Sequence, residues 1–234
     1  MSCGVSEMRL VELESLGYLP PSNEVWRRAG LVSVDGIGQA KPVPVPKRPE
    51  RVCLVPYLLR GLSFPIHPFL HGLLNFYGIQ LHHLTPASIL HITGYVALCE
   101  MYLGIEPHFQ LWWKYFCLVP QTSGEAVHEV GGAAVWRIAN QGYPEGSPKE
   151  DPDFWTSEWF YIHDVSLYDL THQGLPLYSS EPPIKRRSWR SKAGEESPQV
   201  AMLANRVRLF AEQGLTMPEV TATFLLHRVR PLQQ

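Results

Sequence analysis

The segment TPASILHITGYVALCEMYLG, from Thr85 to Gly104, decides the fold of this chain. Threonine followed by proline is typical of a helix start, because the threonine side chain caps free backbone N–H groups and proline suits the first helical position. Apolar residues then cover most of the helix surface, and they are Ile89, Leu90, Ile92, Val96, Ala97, Leu98, Cys99, Met101 and Leu103. A helix that is apolar nearly all round is normally buried. The segment therefore predicts a helix over 86–103 at the centre of the protein.

Two flanking helices are predicted beside this central one. The first begins at Pro68 and is closed by Gly78, a residue type favoured just after a helix end. The second begins at Pro107 and is stopped by Pro120. A shorter helix over residues 6–16 is predicted near the N-terminus, where leucines recur at a spacing of three.

Strands are predicted over 51–58, 133–139 and 157–165, which are rich in valine, isoleucine and aromatic residues. Further along, Ser197-Pro198 begins one helix and Thr216 with Glu219 forms the capping box of another. The predicted fold class is α+β, with about five to six helices at the centre, a small sheet of about three strands, and a C-terminal αα-hairpin.

Composition shifts divide the chain into four predicted parts. Residues 1–50 form an N-terminal helix and a proline-rich arm, and residues 51–180 form a globular α+β core. Residues 181–196 read as a solvated basic linker, because prolines precede and glutamates follow the cations. Residues 197–234 form the helical hairpin.

The overall composition excludes several classes of protein. With 45% hydrophobic and 18% charged residues, the 234-residue chain is typical of a globular protein. A net charge of −2 provides no field that draws the chain to nucleic acid or membrane. The four cysteines are scattered, which favours free thiols in a reducing compartment. No signal peptide and no apolar stretch of about 20 residues is found, so we expect an intracellular protein of the nucleus or cytoplasm.

Six histidines are concentrated between residues 67 and 108, and they are His67, His71, His82, His83, His91 and His108. Histidine is the commonest metal ligand, so a metal-dependent, nuclease-like enzyme is one hypothesis. Against it, no Cys-x-x-Cys or His-Glu-x-x-His pattern accompanies the histidines, and His67 falls at a helix cap rather than on a helix face. We therefore expect these imidazoles to bond backbone groups or carboxylates, with no metal and no cofactor.

Other catalytic patterns are also incomplete. Glu100 lies within the central helix, but His91 falls on its opposite face, so we expect Glu100 to bond another element. The run Gly61-Leu62-Ser63-Phe64-Pro65 lacks the final glycine of a nucleophile elbow. Asp151-Pro152-Asp153 offers hard-cation ligands, yet a solvated loop is the simpler interpretation. No catalytic residue is assigned, and we expect a protein that is not an enzyme.

One basic segment surrounds a tryptophan and allows three interpretations. Its residues are Lys185, Arg186, Arg187, Trp189, Arg190 and Lys192. Cations beside an aromatic ring suit contact with nucleic acid, and a basic run also suits nuclear import. The third interpretation is the solvated linker.

An aromatic run on the helix after Pro107 suggests a protein partner surface formed by Trp112, Trp113 and Phe116. Adjacent tryptophans cannot both face one way on a helix, so one of them is a candidate for exposure. The alternative is that the run belongs to the core.

Several longer strings together resemble a known family. They are FPIHPFLHGLL at 64–74, YGIQLHHLTP at 77–86, LCEMYLGIEPH at 98–108, LWWKYF at 111–116, WFYIH at 159–163 and ATFLLHRVRPLQ at 222–233. In this order the chain resembles the "putative gypsy type transposon" domain of proteins encoded by plant retrotransposons. The similarity runs over about residues 8–233, and the 64–120 block is its most specific part.

The resemblance implies a protein of a long-terminal-repeat element or a host copy of one, and it brings no catalytic residues. In that family a long polar region usually follows, so a chain ending at Gln234 is expected to be a truncated copy. The protease Asp-Thr/Ser-Gly, the polymerase Tyr-x-Asp-Asp and the nucleocapsid knuckle are all missing from the sequence. We therefore expect a structural or protein-interaction module, gag-like in role, that self-associates or binds a protein partner.

Overall fold

A computed structural model describes residues 5–20, 26–27, 50–146, 151–163, 175–189 and 197–224. Its α-helices are α1 (Glu7–Ser15), α2 (Val55–Leu59), α3 (Pro68–Tyr77), α4 (Pro86–Ala97), α5 (Phe109–Tyr115), α6 (Pro198–Glu212) and α7 (Met217–Phe224). Its strands are β1 (Trp26–Arg27), β2 (Glu50–Leu54), β3 (Phe116–Pro120), β4 (Thr122–Ser123), β5 (Ala126–Val127), β6 (Ala133–Arg137) and β7 (Trp159–His163). The predicted α+β fold class is confirmed.

The central helix forms as predicted. The Thr85 hydroxyl accepts the N–H of Ser88, which caps the start of α4. Beyond Ala97 the helix continues as a π-helical turn over Leu98–Leu103. It ends at Gly104, whose φ of 67° lies in the left-handed region that glycine adopts without strain. The face with Ile89, Ile92, Val96, Cys99 and Leu103 is buried, whereas Met101 is exposed.

The strands form separate sheets rather than one. A three-stranded antiparallel sheet has the order β1-β7-β2, with Val52 opposite Tyr161. A second sheet pairs β3 with β6, and a short third pairs β4 with β5. The predicted strand over 51–58 is wrong after Leu54, because α2 begins at Val55 with Pro56 in its first turn.

The predicted extent of the aromatic helix is also wrong. The helix ends at Tyr115, and Phe116–Pro120 is strand β3. Phe116, Cys117, Leu118 and Val119 suit a strand as well as a helix, and each lies opposite a residue of β6. Pairing with a partner strand therefore decides the conformation.

The C-terminal hairpin lies against the central helix. Ser197 caps α6, and the backbone N–H of Thr216 donates to Glu219 in the predicted capping box of α7. Gly94 on α4 allows close approach, since a Cβ there would meet Met217 at 2.5 Å. The predicted helix pair is confirmed up to Phe224, and residues 225–234 lie outside the described part.

Residues 175–189, here called the strap, run across the core. Leu175 accepts hydrogen bonds from the Arg51 guanidinium through its carbonyl oxygen. Pro183 and Trp189 are buried. The prediction of a solvated linker over 181–196 is therefore wrong for these two anchors, and residues 190–196 lie outside the described part.

The N-terminal region joins the same core, because Leu10 and Leu13 of α1 are fully buried in the main hydrophobic cluster. The proline-rich arm over 28–49 lies outside the described residues. Among the helices that are described, none is both long enough and apolar enough to cross a membrane.

Candidate functional site

The six clustered histidines lie at separate places in the fold. His67 and His108 cap α3 and α5, and His71 is a buried residue of α3. His82 and His83 form a 3₁₀ turn before α4, while His91 lies midway along that helix. In the part of the chain that the structure describes, no three His, Cys, Asp or Glu side chains are grouped to hold a metal ion.

His67 joins two elements through both of its ring nitrogens. Its Nδ1 accepts the backbone N–H of Phe69 at 3.1 Å, and its Nε2 lies 2.9 Å from Oε1 of Glu100. Because Nδ1 is the acceptor, the neutral ring carries its proton on Nε2 and donates it to the carboxylate. The expectation that Glu100 bonds another element is confirmed.

His82 and His83 tie the strap to the core. The Nδ1 of His83 accepts the N–H of Gln80 at 3.1 Å, which leaves Nε2–H to donate to the Glu181 carbonyl, also at 3.1 Å. The His82 ring lies 4.9 Å from the ring of Tyr178. Burial lowers the pKa of His83 to about 4, and burial with the adjacent His83 lowers that of His82 to about 3. Both imidazoles are therefore neutral at neutral pH.

Two of the three residues predicted as a partner surface belong to the core. Trp112 and Phe116 are buried, and their rings stack with centroids 4.2 Å apart. The partner-surface prediction is wrong for this pair, because the side chains face inward from α5 and β3. The alternative, that the run belongs to the core, is correct for them.

Trp113 belongs to a partly exposed aromatic patch. Its ring lies 5.0 Å from both Phe76 and Phe109, and those two rings are 4.9 Å apart. We call Phe76, Phe109 and Trp113 the aromatic patch; Phe76 is 40% exposed. The indole N–H of Trp113 donates to the Tyr77 hydroxyl at 3.1 Å, which orients the ring. The sequence analysis predicted neither Phe76 nor Phe109 as part of a partner surface. Phe109 and Trp113 are four residues apart, and this spacing places them on one face of α5. Phe76 lies on another helix and comes close to them only in the folded chain.

Part of the basic segment packs against the folded core. The indole of Trp189 is only 1% exposed, and its N–H donates to the Tyr77 carbonyl at 3.2 Å. Arg186 lies over Gly78 at the C-terminal end of α3, so closely that a Cβ on Gly78 would clash with its guanidinium. Of the three interpretations of the segment, contact with nucleic acid through the Trp189 ring does not fit this burial. Lys185 and Arg187 are exposed, and their contact with nucleic acid or import factors stays a prediction. Arg190 and Lys192 lie outside the described residues.

A cleft of about 420 Å³ with a mixed polar and apolar lining lies between the first half of α4 and strand β6, and sequence analysis missed it. Its lining includes His91, Gln121, Trp136, Arg137 and Asp151. One carboxylate oxygen of Asp151 accepts the N–H of Ala87 at 2.7 Å. The interpretation of Asp151 as part of a solvated loop is wrong, because the residue is half-buried against the start of α4, and burial raises its pKa.

His91 faces the same cleft as a neutral imidazole. Burial lowers its pKa to about 4, and the nearby Arg137 cation acts in the same direction. The sequence analysis had named His91 and Asp151 for other reasons, and the remaining lining residues come from α4, from β6 and from the residue after β3. Their juxtaposition depends on tertiary structure.

Residues 52–120 match the family described as "putative gypsy type transposon". This part of the chain is therefore similar to that transposon family. The resemblance inferred from the sequence is confirmed for that segment, which covers less than half of the 234 residues. No curated protein and no solved structure matches the chain.

The matched segment runs from β2 to the end of β3 and includes the central helix. All six clustered histidines and the whole aromatic patch lie inside it. Trp136, Arg137 and Asp151 of the cleft lie outside it, as does the basic segment. The match supports a transposable-element-derived protein.

Proposed function

We propose that this transposable-element-derived chain is a non-enzymatic structural module that self-associates through its aromatic patch. The observation that carries the proposal is the grouping of Phe76, Phe109 and Trp113 at the surface of the family segment. Aromatic side chains are enriched in protein interfaces, because they bury a large area at low cost in side-chain entropy.

The rigidity of the patch supports an interface role. The Tyr77 hydroxyl accepts the indole N–H of Trp112 at 3.3 Å and that of Trp113 at 3.1 Å. Burial raises the pKa of Tyr77 to about 12, so the hydroxyl stays neutral. A surface held in place before association loses less entropy when it binds.

The use of the polar side chains around the central helix supports a non-enzymatic role. Both nitrogens of His67 and the carboxylate of Glu100 are engaged in hydrogen bonds between elements. His108 accepts the N–H of Leu111 as the cap of α5, and its carbonyl accepts the Tyr95 hydroxyl. Groups used in this way hold the scaffold that presents the surface.

Light scattering on the purified chain over a wide concentration range tests the proposal. We expect concentration-dependent dimers or larger species that Phe76→Glu abolishes, since a carboxylate buried in an aromatic interface is costly. Met101→Glu is the matched control, because Met101 is an apolar side chain with 37% exposure on a different helix. A wild-type chain that stays monomeric at the highest concentration, or equal effects of both variants, would overturn it.

A further inference from the structure

We propose that the cleft between α4 and β6 binds an extended, uncharged segment of a partner protein, which adds to the free edge of β6 as a further strand. This surface is distinct from the aromatic patch, and β6 lies outside the matched family segment. The observation that carries the proposal is a set of backbone groups on β6 that line the cleft and have no hydrogen-bond partner among the described residues.

The pairing of β6 with β3 leaves alternate residues of β6 facing away from that strand. At one end of the pair, the N–H of Ile138 donates to the Tyr115 carbonyl. In an antiparallel pair, residues that exchange backbone bonds with the partner strand alternate with residues that do not. Val135 and Arg137 belong to the second set, so their N–H and carbonyl groups point away from β3.

Only part of this outward edge is covered by α4. The Val135 N–H donates to the Ser88 hydroxyl oxygen at 2.8 Å, and Ala133 forms a parallel bridge with Leu84 just before the helix begins. The Val135 carbonyl and the N–H and carbonyl of Arg137 find no hydrogen-bond partner in the part of the chain that the structure describes. Val135 is only 4% exposed, and a buried carbonyl without a donor is unfavourable.

The order of these open groups matches the backbone of a neighbouring strand. Acceptor, donor and acceptor follow one another over Val135 and Arg137, and an added strand satisfies such a row with its own N–H and carbonyl groups. Unpaired strand edges are templates for this kind of pairing. The cleft volume of about 420 Å³ gives room for about two to three residues of an extended chain at strand spacing.

The side chains that line the cleft favour an uncharged segment. The Arg137 guanidinium donates to the Pro144 carbonyl at 3.0 Å, and the Asp151 carboxylate accepts the Ala87 N–H at 2.7 Å. The lining therefore contains a cation and an anion that balance each other, and His91 is neutral because burial lowers its pKa to about 4. A charged residue brought into the cleft would lose its hydration without gaining a counterion of its own.

Short random peptides displayed on phage and selected against the full chain supply the probe for a test. Binding of the selected peptides, made with a fluorescent label, is measured by anisotropy after N-methylation of each backbone amide in turn. Methylation removes one donor and keeps the side chain, so it should weaken binding about tenfold or more at positions that face β6 and little at the positions between them. A period of two along the peptide is expected for an added strand.

Two variants at Arg137 separate its backbone from its side chain. Arg137→Pro deletes the N–H that faces the cleft, and proline is tolerated there because this N–H takes no part in the pairing with β3. Arg137→Ala removes the guanidinium and keeps the N–H. We expect Arg137→Pro to weaken peptide binding about tenfold or more, and Arg137→Ala to change it by less than about twofold.

Hydrogen exchange checks the same contact on the unsubstituted chain. The Arg137 amide should exchange more slowly when the peptide is bound, because its N–H then donates to the added strand. The Ile138 amide, which already donates to Tyr115, should change little. If Arg137→Pro does not fold, the methylation series and this exchange rate decide the question.

Three results would overturn the proposal. The first is a selection that yields no peptide able to bind the purified chain. The second is tolerance of methylation at every position, or equal losses in Arg137→Pro and Arg137→Ala, since either result would mean recognition by side chains. The third is loss of binding in Phe76→Glu without loss in Arg137→Pro, which would place the peptide on the aromatic patch.

Discussion

The Nε2 of His67 lies 2.9 Å from Oε1 of Glu100, and this bond joins the cap of α3 to the π-helical turn that ends the central helix. The same imidazole caps α3 through Nδ1. One side chain therefore fixes the angle between two helices of the family segment. π-helical turns within α-helices often occur at functional sites; here the turn places a carboxylate against the neighbouring helix.

Removing this link should lower stability. His67→Ala loses a helix cap, which contributes about 1 kcal/mol, and also a hydrogen bond to a carboxylate. We expect a loss of about 1–3 kcal/mol in the free energy of unfolding from urea titrations. His67→Asn keeps a capping side chain and should lose less. Equal stability of His67→Ala and wild type would contradict the structural role.

The neutral histidines of the 3₁₀ turn should make stability depend on pH. The pKa of His82 in the folded state, about 3, lies below its ordinary value of 6.5, so the unfolded chain binds more protons between these values. Stability should therefore be fully present above about pH 6.5 and decrease as the pH falls. His82→Phe should flatten this dependence in urea titrations from pH 4 to pH 8. A variant curve parallel to wild type would contradict the assignment.

Asp151 should behave in the opposite sense. Burial raises its pKa above the ordinary 3.8, so folding disfavours the charged form, and the contribution to stability falls as the pH rises above that value. Asp151→Asn removes the charge and keeps an oxygen that accepts the Ala87 N–H. We expect Asp151→Asn to be at least as stable as wild type at pH 7, whereas Asp151→Ala should lose about 1 kcal/mol with the hydrogen bond from the Ala87 N–H. Thermal unfolding of the three proteins compares them directly, and Asp151→Asn less stable than Asp151→Ala would refute this view.

Trp189 should anchor the strap. Truncating a buried tryptophan to alanine costs about 3–5 kcal/mol, and we expect that loss for Trp189→Ala in chemical denaturation. Lys185 is an exposed residue of the strap, so Lys185→Ala should change the free energy of unfolding by less than about 0.5 kcal/mol. Similar small effects for both variants would mean that the strap is a solvated linker after all.

Local signals in the sequence were enough for the central helix and its neighbours. Thr85, Pro86 and Gly104 delimit the helix through their own backbone preferences, and the capping box at Thr216 acts within four residues. Glu100 was expected to bond another element because its own helix offered no partner.

Features that depend on distant contacts were missed. Trp189 is surrounded by cations in sequence, but its partner Tyr77 is 112 positions away. Phe116–Pro120 became a strand because β6 pairs with it, and the cleft forms only when α4, β6 and Asp151 meet. Local patterns specify where elements begin and end, whereas burial of individual side chains depends on which elements come together.

Hydroxyl-radical footprinting of the purified chain at low and high concentration tests the central claim most directly. Phe76 and Trp113 should lose reactivity as the concentration rises, while Phe154, which is 86% exposed, and Trp136 should keep theirs. Unchanged reactivity of Phe76 and Trp113 across that range would contradict self-association through the aromatic patch.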